Sequence, residues 1–328
     1  MARQRSAMID NVRALLMTWV VVGHLLEVLP FTGNSYLSAA IYSFHMPAYA
    51  FVGGLCFKRG RNVFREVLFP YVLFQVIFCI HSVLDPQASG PLQFTTPDRS
   101  LWYLVAYAFW QMGASCLNLQ GKWGVAAVGV SLAAALAAGF ESSIGSYLAL
   151  SRTVCFFPFF LAGACIRENG LERFEALLSQ KSLWRWAVVA AAVAMQILLA
   201  AQHSRVSMEY FYCSSGYGKG GSLAIRALVL LNAAVMTLAI FLVMPKKQLP
   251  LISYIGKHPM PVYLLERLTV KVFTNSGNLF ALLPGPSPVW LAVLTAAIVL
   301  VYTSKPVVYL FNKLVRLEIF FPRKKQNA

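Results

Sequence analysis

Arg13 and His24 lie eleven residues apart inside the first long apolar stretch of the chain. Eleven residues at about 100° each return a helix to within roughly 20° of its starting face, so both side chains project from one face, about 16 Å apart. Asp10 precedes Arg13 by one turn, and Glu27 follows His24 by one turn. Charged and titratable side chains are costly to bury in a membrane helix and usually mark a functional site. This face predicts catalysis by a histidine base, although Asp10 serves equally well as an anchor at the membrane surface.

The composition indicates that this helix belongs to a membrane protein. Of the 328 residues, 58% are hydrophobic and 12% are charged, with a mean hydropathy of +0.63. Soluble domains average roughly 45–50% apolar and about 25% charged residues. The net charge of +16 does not indicate nucleic-acid binding, because the basic residues form short clusters between apolar runs. We predict one polytopic membrane domain over residues 1–328, whose first apolar run is retained, with a basic cytoplasmic tail at 312–328.

Apolar runs long enough to cross a bilayer, about 20 residues each, divide the chain into ten predicted membrane helices. They cover residues 8–29, 35–57, 66–84, 101–118, 123–140, 152–166, 184–202, 222–243, 251–273 and 289–311. Lysine and arginine are enriched in alternate connections, which places both termini in the cytoplasm by the positive-inside rule. The predicted fold is therefore an all-α integral membrane protein of about ten helices in the inner (cytoplasmic) membrane.

The six cysteines are scattered, and none forms a CxxC pair or a Cys/His cluster. This spacing predicts neither a zinc site nor a disulfide framework. The chain also lacks the glycine-rich patterns that bind nucleotides.

A second histidine, His45, occurs in the sequence Ser-Phe-His-Met-Pro of the second apolar run. If that run returns across the membrane, His45 and His24 lie at similar depth and can share one cavity. A packing residue beside a proline kink is the alternative interpretation of His45.

A basic cluster follows the second apolar run and consists of Lys58, Arg59, Arg61 and Arg65. Arginine binds phosphate oxygens through two parallel hydrogen bonds, so the cluster suits an anionic ligand. The other interpretation is that it only sets the orientation of the chain.

Charged residues also occur in later predicted helices. Arg152 enters the sixth helix from the outer side, against the positive-inside rule, which predicts a structural or substrate-facing partner. Glu266 and Arg267 lie in the ninth helix. They either pair with other helices, or Glu266 orients an imidazole.

Together these segments resemble the membrane-bound acyltransferase family 3, particularly its fucose 4-O-acetylase-like branch. The arginine-x10-histidine spacing of Arg13 and His24 is the most specific element of the resemblance. The matching stretches are 9–13 with 23–24, 43–47 with 53–54, 69–71, 101–104, 152 with 157–163, and 254–256 with 263–265.

The resemblance implies a ten-helix enzyme that moves an acyl group, usually acetyl, from cytoplasmic acetyl-CoA to an extracytoplasmic or lipid-linked glycan. By resemblance, Arg13 and His24 are its essential pair. The chain departs from the family at two places. The RxxR pattern expected after the second helix is matched only by 58–61, and Glu266 stands where a histidine often follows the Tyr-Leu-Leu motif.

A mechanism follows from these residues. An imidazole, with an unperturbed pKa near 6.5, suits the base that acyl transfer to a hydroxyl requires. We predict that His24 deprotonates the sugar hydroxyl or transiently carries the acetyl group, and that Glu27 holds its tautomer. Whether His24 or His45 is the main base stays open.

The remaining site residues are predicted to bind the two substrates. Arg13 and the cluster of Lys58, Arg59, Arg61 and Arg65 hold the phosphates of acetyl-CoA, which is a co-substrate and not a tightly bound cofactor. The acceptor glycan contacts Arg152, Trp102, Tyr263 and Glu266. No metal is required, and the sequence does not indicate an oligomeric state.

Two other function classes remain at this point. Buried histidine, glutamate and arginine also build proton relays, so a proton-coupled transporter of a small solute is an alternative. A non-catalytic membrane scaffold is the third possibility, and it would tolerate the loss of His24.

Overall fold

The computed structural model describes residues 6–29, 31–84, 95–141, 143–145, 147–180, 182–202, 207–214, 216–217, 221–275, 278–284 and 287–315. Over these ranges the chain is helical, without a β-strand. The α-helices are α1 Ala7–Leu26, α2 Asn34–Tyr42, α3 His45–Leu55, α4 Phe69–Leu84, α5 Trp102–Cys116, α6 Gly121–Ala137, α7 Leu150–Ser179, α8 Leu183–Gln202, α9 Met208–Tyr212, α10 Leu223–Val243, α11 Pro250–Lys257, α12 Pro259–Asn275, α13 Ser287–Tyr302 and α14 Lys305–Val315. A π-helical turn, Phe64–Leu68, leads into α4, and 3-10 turns cover Arg99–Leu101, Ala138–Phe140, Tyr147–Ala149 and Leu279–Leu282.

Six helical segments among the described residues are long and apolar enough to cross a membrane. They are Ala7–Leu26, Phe64–Leu84, Gly121–Phe140, Tyr147–Ser179, Leu183–Gln202 and Leu223–Val243. A seventh results if α13 and α14, which meet at 61°, form one broken span. The chain is therefore an all-helical, multi-pass membrane protein. The count of ten spans and the cytoplasmic position of both termini stay predictions.

Three predicted spans take a different form. The segment 35–57 is divided between α2 and α3, and the segment 251–273 between α11 and α12. The sixth span, predicted as the short segment 152–166, belongs instead to the long helix α7, in which Gly170 interrupts the helical conformation with φ of 121°. Breaks of this kind leave overall hydrophobicity almost unchanged, so a count of apolar residues does not detect them.

The predicted basic tail begins within a helix. Residues 312–315, assigned to the basic tail, belong to α14, and Phe311 and Val315 of this helix are buried. The rest of the predicted tail, 316–328, lies outside the described residues.

Helix α1 is the central element that positions the site. Ser6 caps its N-terminus by accepting a hydrogen bond from the backbone N–H of Ile9. Asn11 is fully buried and donates hydrogen bonds to the backbone oxygens of Pro245 and Lys247, while its own amide oxygen accepts one from Ser253. These contacts fix the rotation of α1 and therefore the direction of its polar face.

Glycines allow two helix pairs to pack with their backbones in contact. A Cβ atom at Gly54 of α3 would lie 2.0 Å from the carbonyl oxygen of Phe160, and one at Gly163 of α7 would lie 2.1 Å from that of Phe51. At Gly256 of α11 it would lie 1.7 Å from the carbonyl oxygen of Asp10. Small residues serve this purpose in membrane helix packing. The glycines hold α3 and α7 together and bring α11 against the start of α1.

The periphery of the bundle is apolar and exposed. Only 6% of the apolar stretch of α8 is buried, and Leu183 and Trp186 of this helix are among the most exposed large side chains. Such an apolar surface is expected of a helix that faces lipid.

Candidate active site

Two cavities lie end to end along α1. The first has a volume of about 580 Å³ and is lined by Arg13; the second has a volume of about 430 Å³ and is lined by His24. We call them the Arg13 cavity and the His24 cavity. Val20, Met46 and Tyr263 belong to both linings and form the wall between them. Arg13 and His24 therefore line separate cavities that adjoin each other.

The Arg13 cavity is rich in cations. Arg13 lies 3.7 Å from the carboxylate of Asp10, its neighbour one turn earlier. The lining also contains Lys58, Arg61 and Arg167, and Glu66 is its other carboxylate. Four cations against two carboxylates give the cavity a positive charge that suits a polyanionic ligand.

Arg61 is oriented by neighbouring side chains. Its Nη1 donates to the hydroxyl of Tyr107 at 2.6 Å, and its Nε lies 3.2 Å from the carboxylate of Glu66. The guanidinium is thus held at the cavity by a ring and one exposed carboxylate.

Arg59 differs from Arg61 although the sequence gives them the same appearance. Its guanidinium binds the carboxylate of Glu168 with two hydrogen bonds, of 2.6 and 3.1 Å, and donates at 2.8 Å to the backbone oxygens of Ser115 and Leu117. The hydrogen bonds to Glu168 raise the pKa of Arg59 above its ordinary value. Arg59 lies outside the lining of the Arg13 cavity and fastens the end of α5 to α7, so the structure does not bring this predicted donor-binding residue together with Arg13 and Arg61.

Arg65 is also absent from the cavity lining. It is exposed, and its backbone N–H donates to the side chain of Asn62. Of the predicted donor-binding residues, Arg13, Lys58 and Arg61 are brought together, and Arg167 joins them from α7. Arg167 was not predicted, because in the sequence it is one of several basic residues after an apolar run.

In the His24 cavity, the central contact joins His24 to Glu266. Nδ1 of His24 lies 2.8 Å from Oε2 of Glu266, which comes from α12 and is completely buried. A hydrogen bond donated by Nδ1–H to the carboxylate leaves the lone pair of Nε2 available. A carboxylate on one nitrogen of an imidazole orients the ring and stabilises the imidazolium that forms when the other nitrogen accepts a proton. This arrangement is suited to a general base.

Glu27, which was predicted to hold the tautomer of His24, contacts two other residues. Its carboxylate accepts a hydrogen bond of 3.1 Å from Tyr42 and pairs with Arg267 at 3.3 Å. Glu27 caps the end of α1, and its side chain reaches α2 and α12. The carboxylate at Nδ1 of His24 is that of Glu266. Glu266 was predicted to contact the acceptor, but it is not among the residues that line the His24 cavity.

His45 lines the same cavity as His24. Its Nδ1 donates to the backbone oxygen of Ile41 at 2.7 Å, and its ring packs against Tyr42 at 4.9 Å between centroids. A carbonyl is a neutral partner and does not stabilise an imidazolium as a carboxylate does. The geometry therefore favours His24 over His45 as the base.

The other predicted acceptor-binding residues lie around the His24 cavity. Arg152 and Trp102 are in its lining, with the guanidinium 4.9 Å from the centre of the Trp102 ring. Tyr263 lines both cavities, and its hydroxyl donates to the backbone oxygen of Ser100.

Sequence reasoning missed four aromatic residues of this cavity, Tyr42, Phe156, Phe211 and Tyr212. Tyr42 gives no signal in the sequence, because it resembles any aromatic residue of an apolar helix. Tyr212 belongs to the connection 203–221, whose richness in aromatic residues was the available signal.

Comparison with known proteins gives one finding. A family model for the acyltransferase domain of family 3 matches residues 7–304, a range that contains every residue of both cavities except Ser6. No curated protein and no solved structure matches the chain.

Proposed function

The chain belongs to acyltransferase family 3, and on that basis we propose that it transfers an acetyl group from cytoplasmic acetyl-CoA to a hydroxyl of a cell-envelope or exported glycan. The observation that carries the proposal is the arrangement along α1, where a cation-rich cavity adjoins a cavity holding a histidine with a carboxylate partner. The proposal includes ten spans in the inner membrane with both termini in the cytoplasm.

The donor occupies the Arg13 cavity in this proposal. Arg13, Lys58, Arg61 and Arg167 bind the phosphates of acetyl-CoA, for which arginine offers paired hydrogen bonds. Arg13 and His24 are about 16 Å apart along the helix, a distance that an extended pantetheine arm spans. Only the acetyl end of the donor has to pass the wall between the cavities.

The acceptor hydroxyl lies at Nε2 of His24. Nε2 accepts the proton of the hydroxyl while the hydroxyl oxygen attacks the thioester carbonyl carbon. The carbon–sulfur bond then breaks, and the coenzyme A thiolate receives the proton from the imidazolium. The products are the acetyl ester and free coenzyme A. Glu266 stabilises the imidazolium between the two proton transfers.

A variant of this mechanism places the acetyl group on Nε2 of His24 before it reaches the acceptor. The two routes differ in one measurable respect. Covalent transfer releases one equivalent of coenzyme A in the absence of acceptor, and direct transfer releases none.

The test uses the purified protein in lipid nanodiscs with radiolabelled acetyl-CoA and a membrane glycolipid extract as acceptor. We expect label to move to the glycan fraction. If acetyl-CoA neither binds nor turns over with any fraction of the extract, the proposal fails. Uptake of a solute without acyl chemistry in proteoliposomes would then support the transport alternative, although nothing in the family match favours it.

Arg61 and Arg59 provide a matched pair of variants for the donor site. We expect Arg61→Gln to raise the KM for acetyl-CoA about tenfold, since it removes a charge-assisted hydrogen bond to phosphate. Arg59→Gln should leave this KM within about twofold of the wild-type value and lower the Tm, because Arg59 fastens helices. Initial rates at varied acetyl-CoA concentration give the KM, and thermal unfolding of the same preparations gives the Tm. If both variants raised the KM for acetyl-CoA equally, the assignment of Arg61 to donor binding and of Arg59 to helix packing would be contradicted.

A further inference from the structure

Arg152 is an unpaired cation in the His24 cavity. The cavity's other charged residues have partners: Arg267 pairs with Glu27 at 3.3 Å, and His24 contacts Glu266 at 2.8 Å. Within the described part of the chain, Arg152 makes no hydrogen bond or ion pair. Its neighbours are the faces of two rings, Trp102 at 4.9 Å and Tyr212 at 5.8 Å. Among the charged residues of the lining, Arg152 is therefore the one that the described structure leaves without a carboxylate partner.

The location of Arg152 makes this charge unfavourable for the protein alone. It lies in the first turn of the 30-residue helix α7. The N-terminal end of a helix carries a partial positive charge and favours anions, not cations. Of the first turn of α7, only Arg152 is in the cavity lining, so its guanidinium is the group that a bound anion would contact.

Other features of the cavity suit a sugar. Trp102, Phe156, Phe211 and Tyr212 make the lining largely aromatic, which suits contact with the C–H groups of a sugar ring. Ser100 also lines the cavity, and its buried hydroxyl has no hydrogen-bond partner in the described structure. A buried polar group without a partner is costly, so a ligand that supplies one is favoured.

We propose that the acceptor carries a negatively charged oxygen group, a carboxylate or a phosphate, which Arg152 binds while a neighbouring hydroxyl faces His24. This inference rests on the proposed function, because it names the class of the acceptor. Arg152 then selects acidic or phosphorylated glycans over neutral ones.

Binding in the absence of acetyl-CoA tests this selection separately from transfer. The probes are methyl β-glucuronide, its neutral amide, and methyl glucoside 6-phosphate, titrated into the purified protein in nanodiscs by calorimetry. We expect the wild-type protein to bind one or both anionic probes at least about tenfold more tightly than the amide. The relative affinities of the two anions distinguish a carboxylate from a phosphate.

Three variants complete the test. Arg152→Gln should abolish the preference for the anions, and Arg152→Lys should retain part of it, because lysine keeps the charge but not the paired donors. Lys122→Gln is the matched control, since Lys122 also lies over a tryptophan ring, at 5.6 Å from Trp123, but outside both cavities. It should keep the full preference.

The inference is overturned if wild-type protein binds the amide as tightly as the anions. It is also overturned if Arg152→Gln still binds the anions more tightly than the amide, even when its Tm is lower than that of the wild type. Should Arg152→Gln fail to fold, the wild-type preference and its weakening in Arg152→Lys decide the question. Anion preference without label transfer from acetyl-CoA would refute the proposed function and leave the anion site standing.

Discussion

Replacing His24 by alanine should lower the rate of acetyl transfer by about 10³-fold or more, since it removes the base that activates the hydroxyl. Glu266→Gln should lower the rate about 10²-fold or more, because the amide keeps the size of the side chain but no longer stabilises the imidazolium. Label transfer under saturating acetyl-CoA measures both effects. The KM for acetyl-CoA should stay near the wild-type value, because neither residue lines the Arg13 cavity.

Glu27 is the informative comparison for this prediction. Glu27→Gln weakens the pair with Arg267 but leaves the contact of His24 with Glu266 in place, so its rate should fall less than that of Glu266→Gln. A greater loss in Glu27→Gln would return the orienting role to that carboxylate. His45→Gln should also retain more activity than His24→Ala, and the reverse order would make His45 the base.

Gly163→Ala should remove at least about 3 kcal/mol of stability or prevent folding, the second large effect that we expect. The added Cβ would meet the carbonyl oxygen of Phe51 at 2.1 Å, and backbone atoms cannot move aside as a flexible side chain can. Helices α3 and α7 would have to separate and lose packing along their interface. Thermal unfolding and the yield of monodisperse protein in one detergent measure the loss.

Gly129→Ala is the control for the same substitution. Beyond the neighbouring backbone of its own helix, no atom of the described structure lies within 4 Å of a Cβ at Gly129, which is inside α6. Alanine there should be neutral or stabilise by up to about 1 kcal/mol through its higher helix propensity. If both variants unfold at the wild-type temperature, the close approach of α3 and α7 does not contribute to the stability of the protein in the way that the geometry implies.

The polar face of α1 could be predicted because it depends only on helical periodicity. Arg13 and His24 need no distant partner to define their face. The contact between His24 and Glu266 joins residues 242 positions apart and depends on how α12 packs against α1, which spacing along the chain does not encode. The sequence therefore predicted either Glu27 or Glu266 as the carboxylate that orients the imidazole. The packing of α12 against α1 brings Glu266 into contact with it.

Helix breaks were predicted less well, although two of them had a signal in the sequence. His258 precedes Pro259, and a residue before proline is disfavoured in the helical conformation. His258 accordingly ends α11 with φ of −126° and ψ of 52°. The break between α2 and α3, at Phe44 with φ of −147°, also had a signal. Pro47, in the first turn of α3, cannot donate a helical hydrogen bond to the carbonyl of Ser43, and its ring clashes with that carbonyl in a continuous helix. Neither break changes the hydrophobicity on which the predicted spans depended.

The wall of Val20, Met46 and Tyr263 also bears on the electrical integrity of the membrane. Joined without it, the two cavities would form a passage along α1 through which ions could leak. An ion entering a region lined by hydrocarbon and a phenol ring loses its hydration at a cost of several kcal/mol or more. Two polar cavities can therefore adjoin within one bundle without a continuous polar path for ions between them.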